Sequence, residues 1–413
     1  GMCAVQLSSV VMHHYWGSPG GGQLVCASAA YSLEKAGYRP ALAGTFSFDP
    51  STYEKWYGID ISGYKVYTFR LEPRAFGLLS RAFAWMPAKN AIKETRSTIL
   101  FTDEGTYEPI RKSFEEIKII EYVHFPIEAS IKKDYRSLGF YYKDDPYIYS
   151  RYGKFPLNVY WYIYRKLISR YLRENPFESA NAVMTNSKWT AEVIKLVHGD
   201  YPVVVNPPLP PLMKITSDPR PFEERKSSVV MLGRFSEEKR YDWVIREIGQ
   251  SLKKEGIRLI IFGGAVTPTQ KGYMNKVKNE ALKLGLKVSE SPEEGDVSIV
   301  PNASRETINA VMDSSRAFLH ATINEHWGIA VAEAMARGLP VVVHKSGGAW
   351  SDLAEDGENG LGYEEPQEAV SALLRVTRDA DAFRKYSMKS LERVSKLTLD
   401  NFSEKIKETV KKF

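Results

Sequence analysis

Along the first 200 residues, short apolar runs alternate with longer stretches whose apolar positions recur every three to four residues. The short runs are Ala4–Met12, Lys118–Phe125 and Ala182–Thr185, and the longer stretches are Gln23–Ala36 and Lys188–Val197. An apolar run of four to eight residues predicts a strand, and a period near 3.6 predicts a helix. After residue 227 the alternation returns, with strands expected at Ser228–Leu232, Arg258–Phe262, Ala317–Ala321 and Pro340–His344 and a helical pattern at Val331–Arg337. Strands that are apolar throughout belong to parallel sheets covered by helices on both faces. The expected fold class is α/β, with two doubly wound, Rossmann-like domains facing a cleft.

Proline sets the boundary. Six of the 22 prolines fall between Pro207 and Pro221, where the lack of an N–H donor opposes helix and central strand alike. This predicts a first domain over 1–205, a linker over 206–222 and a second domain over 223–394. In such sheets ligands bind beyond the carboxyl ends of the strands, so the residues after each strand carry the search for chemistry.

Composition narrows the partners. No apolar run reaches the ~18 residues that span a bilayer, and Cys3–Met12 lacks the basic flank and cleavage site of a leader, so neither is expected. Cys3 and Cys26 are the only cysteines, which excludes a disulfide framework or a Cys-rich zinc site and predicts a cytoplasmic protein. A net charge of +6 is too mild for a nucleic-acid partner. The excess lies in the first half, where residues 1–205 hold 25 basic and 20 acidic side chains. Residues 146–173 contain no acid but carry Arg151, Lys154, Arg165, Lys166, Arg170 and Arg173 among eight tyrosines and tryptophans, and 70–86 repeats the theme around Arg74 and Arg81. Such stretches suit peripheral contact with anionic lipid, or equally an interdomain core face.

Candidate site residues follow the strands. Gly20, Gly21 and Gly22 allow close backbone approach to an anion or a sugar. Gly233 and Arg234 end one strand pattern and Lys239 follows, placing two cations where a diphosphate would lie. Glu325 and Glu333 are eight residues apart, and a wholly helical path would set them ~80° apart around the axis, so Glu325 is expected in the loop before the helix. Gly328 and Ile329 then stand at the helix start, and one carboxylate each for a sugar and a ribose would suit a nucleotide sugar. Ser346, Gly347 and Gly348 form another turn after a strand, and His124 ends the run Ile119–Val123. Ser187 is typed as a helix N-cap. Neither a Cys/His metal cluster nor a P-loop is apparent in the sequence, and Asp379-Ala380-Asp381, of metal-ligand type, lies in a charged helical stretch expected to be solvated.

Taken in order, Gly233-Arg234…Lys239, Glu325…Glu333 and Ser346-Gly347-Gly348 resemble glycosyltransferase family 4, the retaining enzymes of GT-B fold. Three segments, Glu121–Pro126, Thr185–Thr190 and Asn324–Ile329, are similar to the branch of that family that adds α-1,2-linked mannose to lipid-linked oligosaccharide at the cytosolic membrane face. The resemblance implies that Arg234 and Lys239 hold the donor diphosphate, Glu325 the transferred sugar and Glu333 the ribose, with His124 near the reacting centre. It implies that the Gly20–Gly22 loop touches donor phosphate or acceptor, that no metal or other cofactor is required, and that a C-terminal helix over 395–413 crosses back to the first domain. Gln23 stands where that branch carries Glu. The implied activity is transfer of mannose from GDP-mannose to a lipid-linked or other glycan acceptor. A UDP-sugar donor, an epimerase and a non-catalytic sugar-nucleotide-binding subunit are the alternatives.

Overall fold

The computed structural model describes residues 6–70, 79–126 and 156–413. These fall into two compact units. One takes in the described residues up to 213 together with Leu397–Phe413, and the other spans Lys214–Lys396. The expected linker 206–222 thus contributes residues to both.

The first unit holds a parallel sheet of seven strands, β1 (Leu7–Met12), β2 (Tyr38–Ala43), β3 (Val66–Tyr67), β4 (Ile99–Thr102), β5 (Lys118–Val123), β6 (Ala182–Thr185) and β7 (Val203–Val204), in the order β3-β2-β1-β4-β5-β6-β7. Side chains of successive strand residues point to opposite faces. Val10, Met12, Leu100 and Ile119 therefore share one core with Ala88, Ala91 and Ile92 of the helix Trp85–Thr95, while Val11, Phe101 and Ile120 are buried on the other face. The small residues of the helix Gly21–Lys35 let the C-terminal helix Leu399–Lys411 pack closely against it, and Ser32 and Ser403 share a buried hydroxyl hydrogen bond of 2.8 Å.

The second unit repeats the plan with β8 (Ser228–Leu232), β9 (Arg258–Gly263), β10 (Val288–Ser289), β11 (Val297–Pro301), β12 (Ala317–His320), β13 (Val341–His344) and β14 (Leu361–Tyr363), in the order β10-β11-β9-β8-β12-β13-β14. One face packs Met231, Ile261, Ile299 and Leu319 against Tyr241, Ile245, Val277, Leu373 and Val376. In the first sheet the strand order reverses between β1 and β4, and in the second it reverses between β8 and β12 and again at the edge, where β11 lies inside β10. The β1/β4 and β8/β12 breaks are the switch points at whose carboxyl ends ligands bind in such sheets.

Two sequence readings need correction. The helix after the glycine run begins at Gly21, so Gly21 and Gly22 are its first turn rather than a loop. The basic-aromatic stretches are also not wholly surface. Residues 71–78 and 146–155 lie outside the described residues, and within the remainder Arg173 is buried and paired with buried Glu121 through two hydrogen bonds of 2.8 and 2.6 Å. Tyr164 and Ile168 are buried too, and Tyr171 packs on Trp85 at 5.2 Å, joining the two stretches to each other. The helix Leu157–Ser169 still exposes Val159, Tyr162, Ile163 and Lys166 on one face, with the Lys166 ammonium 4.7 Å from the Tyr162 ring centre.

Candidate functional site

At the switch point of the second sheet, Gly233-Arg234 follow β8, β12 ends in His320, and the chain after β12 turns through Thr322–Gly328 into the helix Ile329–Ala336. Glu325 lies in that turn and Glu333 in the helix, because Gly328, at φ 103°, breaks the helical path between them. His320 Nε2 donates to Glu325 Oε1 at 3.0 Å, and Lys239 Nζ stands 3.8 Å from the same oxygen. Burial alone would raise the pKa of Glu325, but the Lys239 charge and the His320 hydrogen bond outweigh it and hold the carboxyl well below the usual range. Glu325 is thus an anion aimed from a rigid turn. Glu333 differs, since burial pushes its pKa up and Arg305, 3.2 Å away, only partly offsets this.

Lys239 reaches Glu325 past Gly233, where a Cβ would lie 2.8 Å from Lys239 Cε and 3.0 Å from Tyr241 Oη. Arg234 is far more open, with Glu238 3.8 Å away. A cavity of about 190 Å³ beside it is lined by Gly233, Arg234, Gly263, Gly264, Asn302 and Ile308, at the ends of β8, β9 and β11. Asn302 shapes this wall by accepting the Ala265 N–H on Oδ1 at 2.9 Å.

Ser346, Gly347 and Gly348 hold protein backbone. The Asn324 N–H donates to Ser346 Oγ at 2.8 Å, and the Gly348 N–H donates to the Glu325 carbonyl at 2.6 Å. A Cβ on Gly347 would meet that carbonyl at 2.1 Å. The turn after β13 therefore fixes the turn that carries Glu325.

In the first unit, His13 follows β1 and Asp103 follows β4. Met12 pairs with Thr102 across these strands, so the next residues meet at the switch point. His13 Nδ1 donates to Asp103 at 2.8 Å, and His124 Nε2, from the end of β5, donates to Asp103 Oδ2 at 2.9 Å. His14 Nδ1 bonds Glu104 at 2.6 Å, and burial drives the His14 pKa down to about 4. Gly22 closes the cluster, since a Cβ there would lie 2.9 Å from His13 Cε1 and 3.0 Å from Asp103 Oδ2. Tyr57 Oη accepts the Gly20 N–H at 2.7 Å, whereas Gly21 faces open space. Two groups, His13 with His14 and Glu104, and His13 with Cys26 and Asp103, have ligand-type atoms within 4.8 Å of one another. His320, Arg305, Asn302, His13 and Asp103 were missed from the sequence. The signal for His13, Asp103 and His320 was a polar residue at or just after the last apolar position of a strand, and for Asn302 the end of β11.

Residues 214–390 match the family model described as glycosyl transferases group 1. Curated relatives include the GDP-Man:Man(3)GlcNAc(2)-PP-Dol alpha-1,2-mannosyltransferases of Candida glabrata, 26% identical over 59% of this chain and 46% of the relative, and of Caenorhabditis elegans, 28% identical over 52% and 48%. This chain thus spans about half the length of those relatives or less. Among solved structures, Anabaena HepE in complex with UDP aligns over 98% of this chain and 100% of its own at 16% identity with a TM-score of 0.70. The sucrose-phosphate synthase of Thermosynechococcus elongatus aligns at the same identity and TM-score over 98% of both chains. The chain has the GT-B fold, and its second unit carries, over residues 214–390, a domain of the group 1 glycosyl transferases.

Proposed function

We propose that this chain transfers mannose from GDP-mannose to a hydroxyl of a lipid-linked oligosaccharide with retention at the anomeric carbon. The observation that carries the reading is the convergence of Lys239, His320 and Glu325 at the β8/β12 switch point, inside the group 1 glycosyl transferase domain. The names of the curated relatives support the donor and acceptor.

The electrostatic demand of the reaction is the charge on the departing nucleoside diphosphate. Lys239 and Arg234 supply fixed cations, and the helix start at Gly328-Ile329 supplies N–H groups and the positive end of a dipole. Glu325, held anionic, takes hydroxyls of the transferred sugar, and Glu333 takes those of the ribose. The C1–O bond to the diphosphate breaks with its electron pair going to the leaving oxygen. The acceptor hydroxyl then attacks the same face and gives its proton to a phosphate oxygen. This scheme calls for no metal.

For the membrane partner, the reading narrows to the face of Leu157–Ser169 that exposes Val159, Tyr162, Ile163 and Lys166, which suits an anionic interface. The test of function is product analysis. Purified chain, GDP-mannose and a synthetic lipid-linked acceptor are expected to yield an α-mannoside, whereas free mannose alone or an epimerised donor would overturn the assignment.

A further inference from the structure

Three imidazoles and two carboxylates are packed at the first sheet's switch point, and the reaction scheme above uses none of them. The side chains of His13 and Asp103 are almost fully buried, and Asp103 is shared: its carboxylate accepts from His13 Nδ1 at 2.8 Å and from His124 Nε2 at 2.9 Å. An acceptor-only group takes N–H donors, so each of these nitrogens carries a proton. With Nε2 so engaged, neutral His124 has its lone pair on Nδ1. Its side chain is 31% exposed, and Nδ1 has no protein partner among the described residues.

We propose that Asp103, itself held by His13, is a positioning residue that fixes the Nε2–H tautomer of His124 and so presents Nδ1 to accept a hydrogen bond from a sugar hydroxyl. The inference rests on the transferase reading for the identity of the ligand.

Three observations bear on it. The meeting of His13 and Asp103 follows from the register of β1 and β4 at the one place in this sheet where the strand order reverses. His13 Nε2 is buried and has no hydrogen-bond partner, an uncommon condition for an interior imidazole and one that a purely structural pair would be expected to relieve. Gly22 leaves room for the cluster and for nothing larger, since a methyl group there would collide with both His13 and Asp103. The groups facing the cluster are His14 and Glu104 from its own strand ends, Cys26 from the helix Gly21–Lys35, Arg81 from the turn before the helix Trp85–Thr95, and Tyr53. The Tyr122 ring lies 5.1 Å from that of His124.

The test needs no variant at first. Long-range ¹H–¹⁵N NMR of the histidine rings in the full chain is expected to show His124 as the Nε2–H tautomer, and the Nδ1–H tautomer would overturn the proposal. In Asp103→Asn, kcat/KM for transfer is expected to fall about 10²-fold, with His124 released from a single tautomer. Asp103→Glu is expected to recover part of the loss. Unchanged tautomer and rate in a folded Asp103→Asn would also overturn it. GDP-mannose affinity then assigns the hydroxyl: a tenfold loss places it on the donor, and unchanged affinity with raised acceptor KM places it on the acceptor. A wild-type chain that transfers no sugar counts against the transferase reading alone, and the clamp is then judged by the tautomer.

Discussion

Lys239 and Arg234 carry the same formal charge in different settings. Lys239 is mostly covered and points at Glu325, whereas Arg234 is largely in solvent, so their charges act through different local dielectrics. Both substitutions to Ala are expected to lower turnover by at least about 10²-fold if each cation faces the leaving diphosphate. Steady-state rates at saturating donor check this, and near-normal turnover in either variant would remove that residue from the leaving-group role. The two residues were legible because each follows a strand pattern closely in sequence. His320 was not, because a single histidine at a strand end has no spacing to read, and its meaning comes only from Glu325 five residues on. The same limit hid Asp103, whose partners His13 and His124 are 90 and 21 residues away in the chain.

Strands and helices were the most legible level, because burial on both faces leaves continuous apolar runs and amphipathic helices leave a period of 3.6. Ends were less so. The first helix starts inside the glycine run because Gly20, extended at φ −178°, serves as its N-cap without a side chain. Ser187, by contrast, caps Lys188–His198 through the Thr190 N–H at 3.1 Å, as its type suggested. The turn Lys345–Gly348, suited by its glycines to close approach of a ligand, also braces the turn that holds Glu325, a contact between segments some twenty residues apart that no local pattern encodes. Gly347 sits at φ 71° with a backbone carbonyl where a Cβ would go. Gly347→Ala is therefore expected to cost about 2 kcal/mol or more, since both the conformation and the clash oppose it. Urea unfolding checks this, and a midpoint equal to wild type would show that the two turns are not tightly coupled.

For the whole molecule, two sheets of one plan each place their polar residues at the carboxyl edge around a switch point. No helix among the described residues is long and apolar enough to cross a membrane. The proposed contact with lipid is the exposed face of Leu157–Ser169. Serine at both Tyr162 and Ile163 is expected to reduce flotation with vesicles of mixed neutral and anionic lipid severalfold while leaving GDP-mannose binding intact. Equal flotation of the variant would reject this face. That the stretch is amphipathic was legible in the sequence. That Arg173 belongs to the interior was not, since the Glu121 carboxylate that pairs with it comes from β5, 52 residues earlier.

Binding of a nucleotide sugar to the second unit, with Glu333 on the ribose, is measurable by calorimetric titration. GDP-mannose, UDP-glucose and UDP-N-acetylglucosamine would each be titrated into wild type and Glu333→Ala. Selective binding of GDP-mannose is expected, weakened at least about tenfold by Glu333→Ala through the loss of charge-assisted hydrogen bonds. Selective binding of a UDP-sugar would contradict the donor, and binding indifferent to Glu333→Ala would contradict the site.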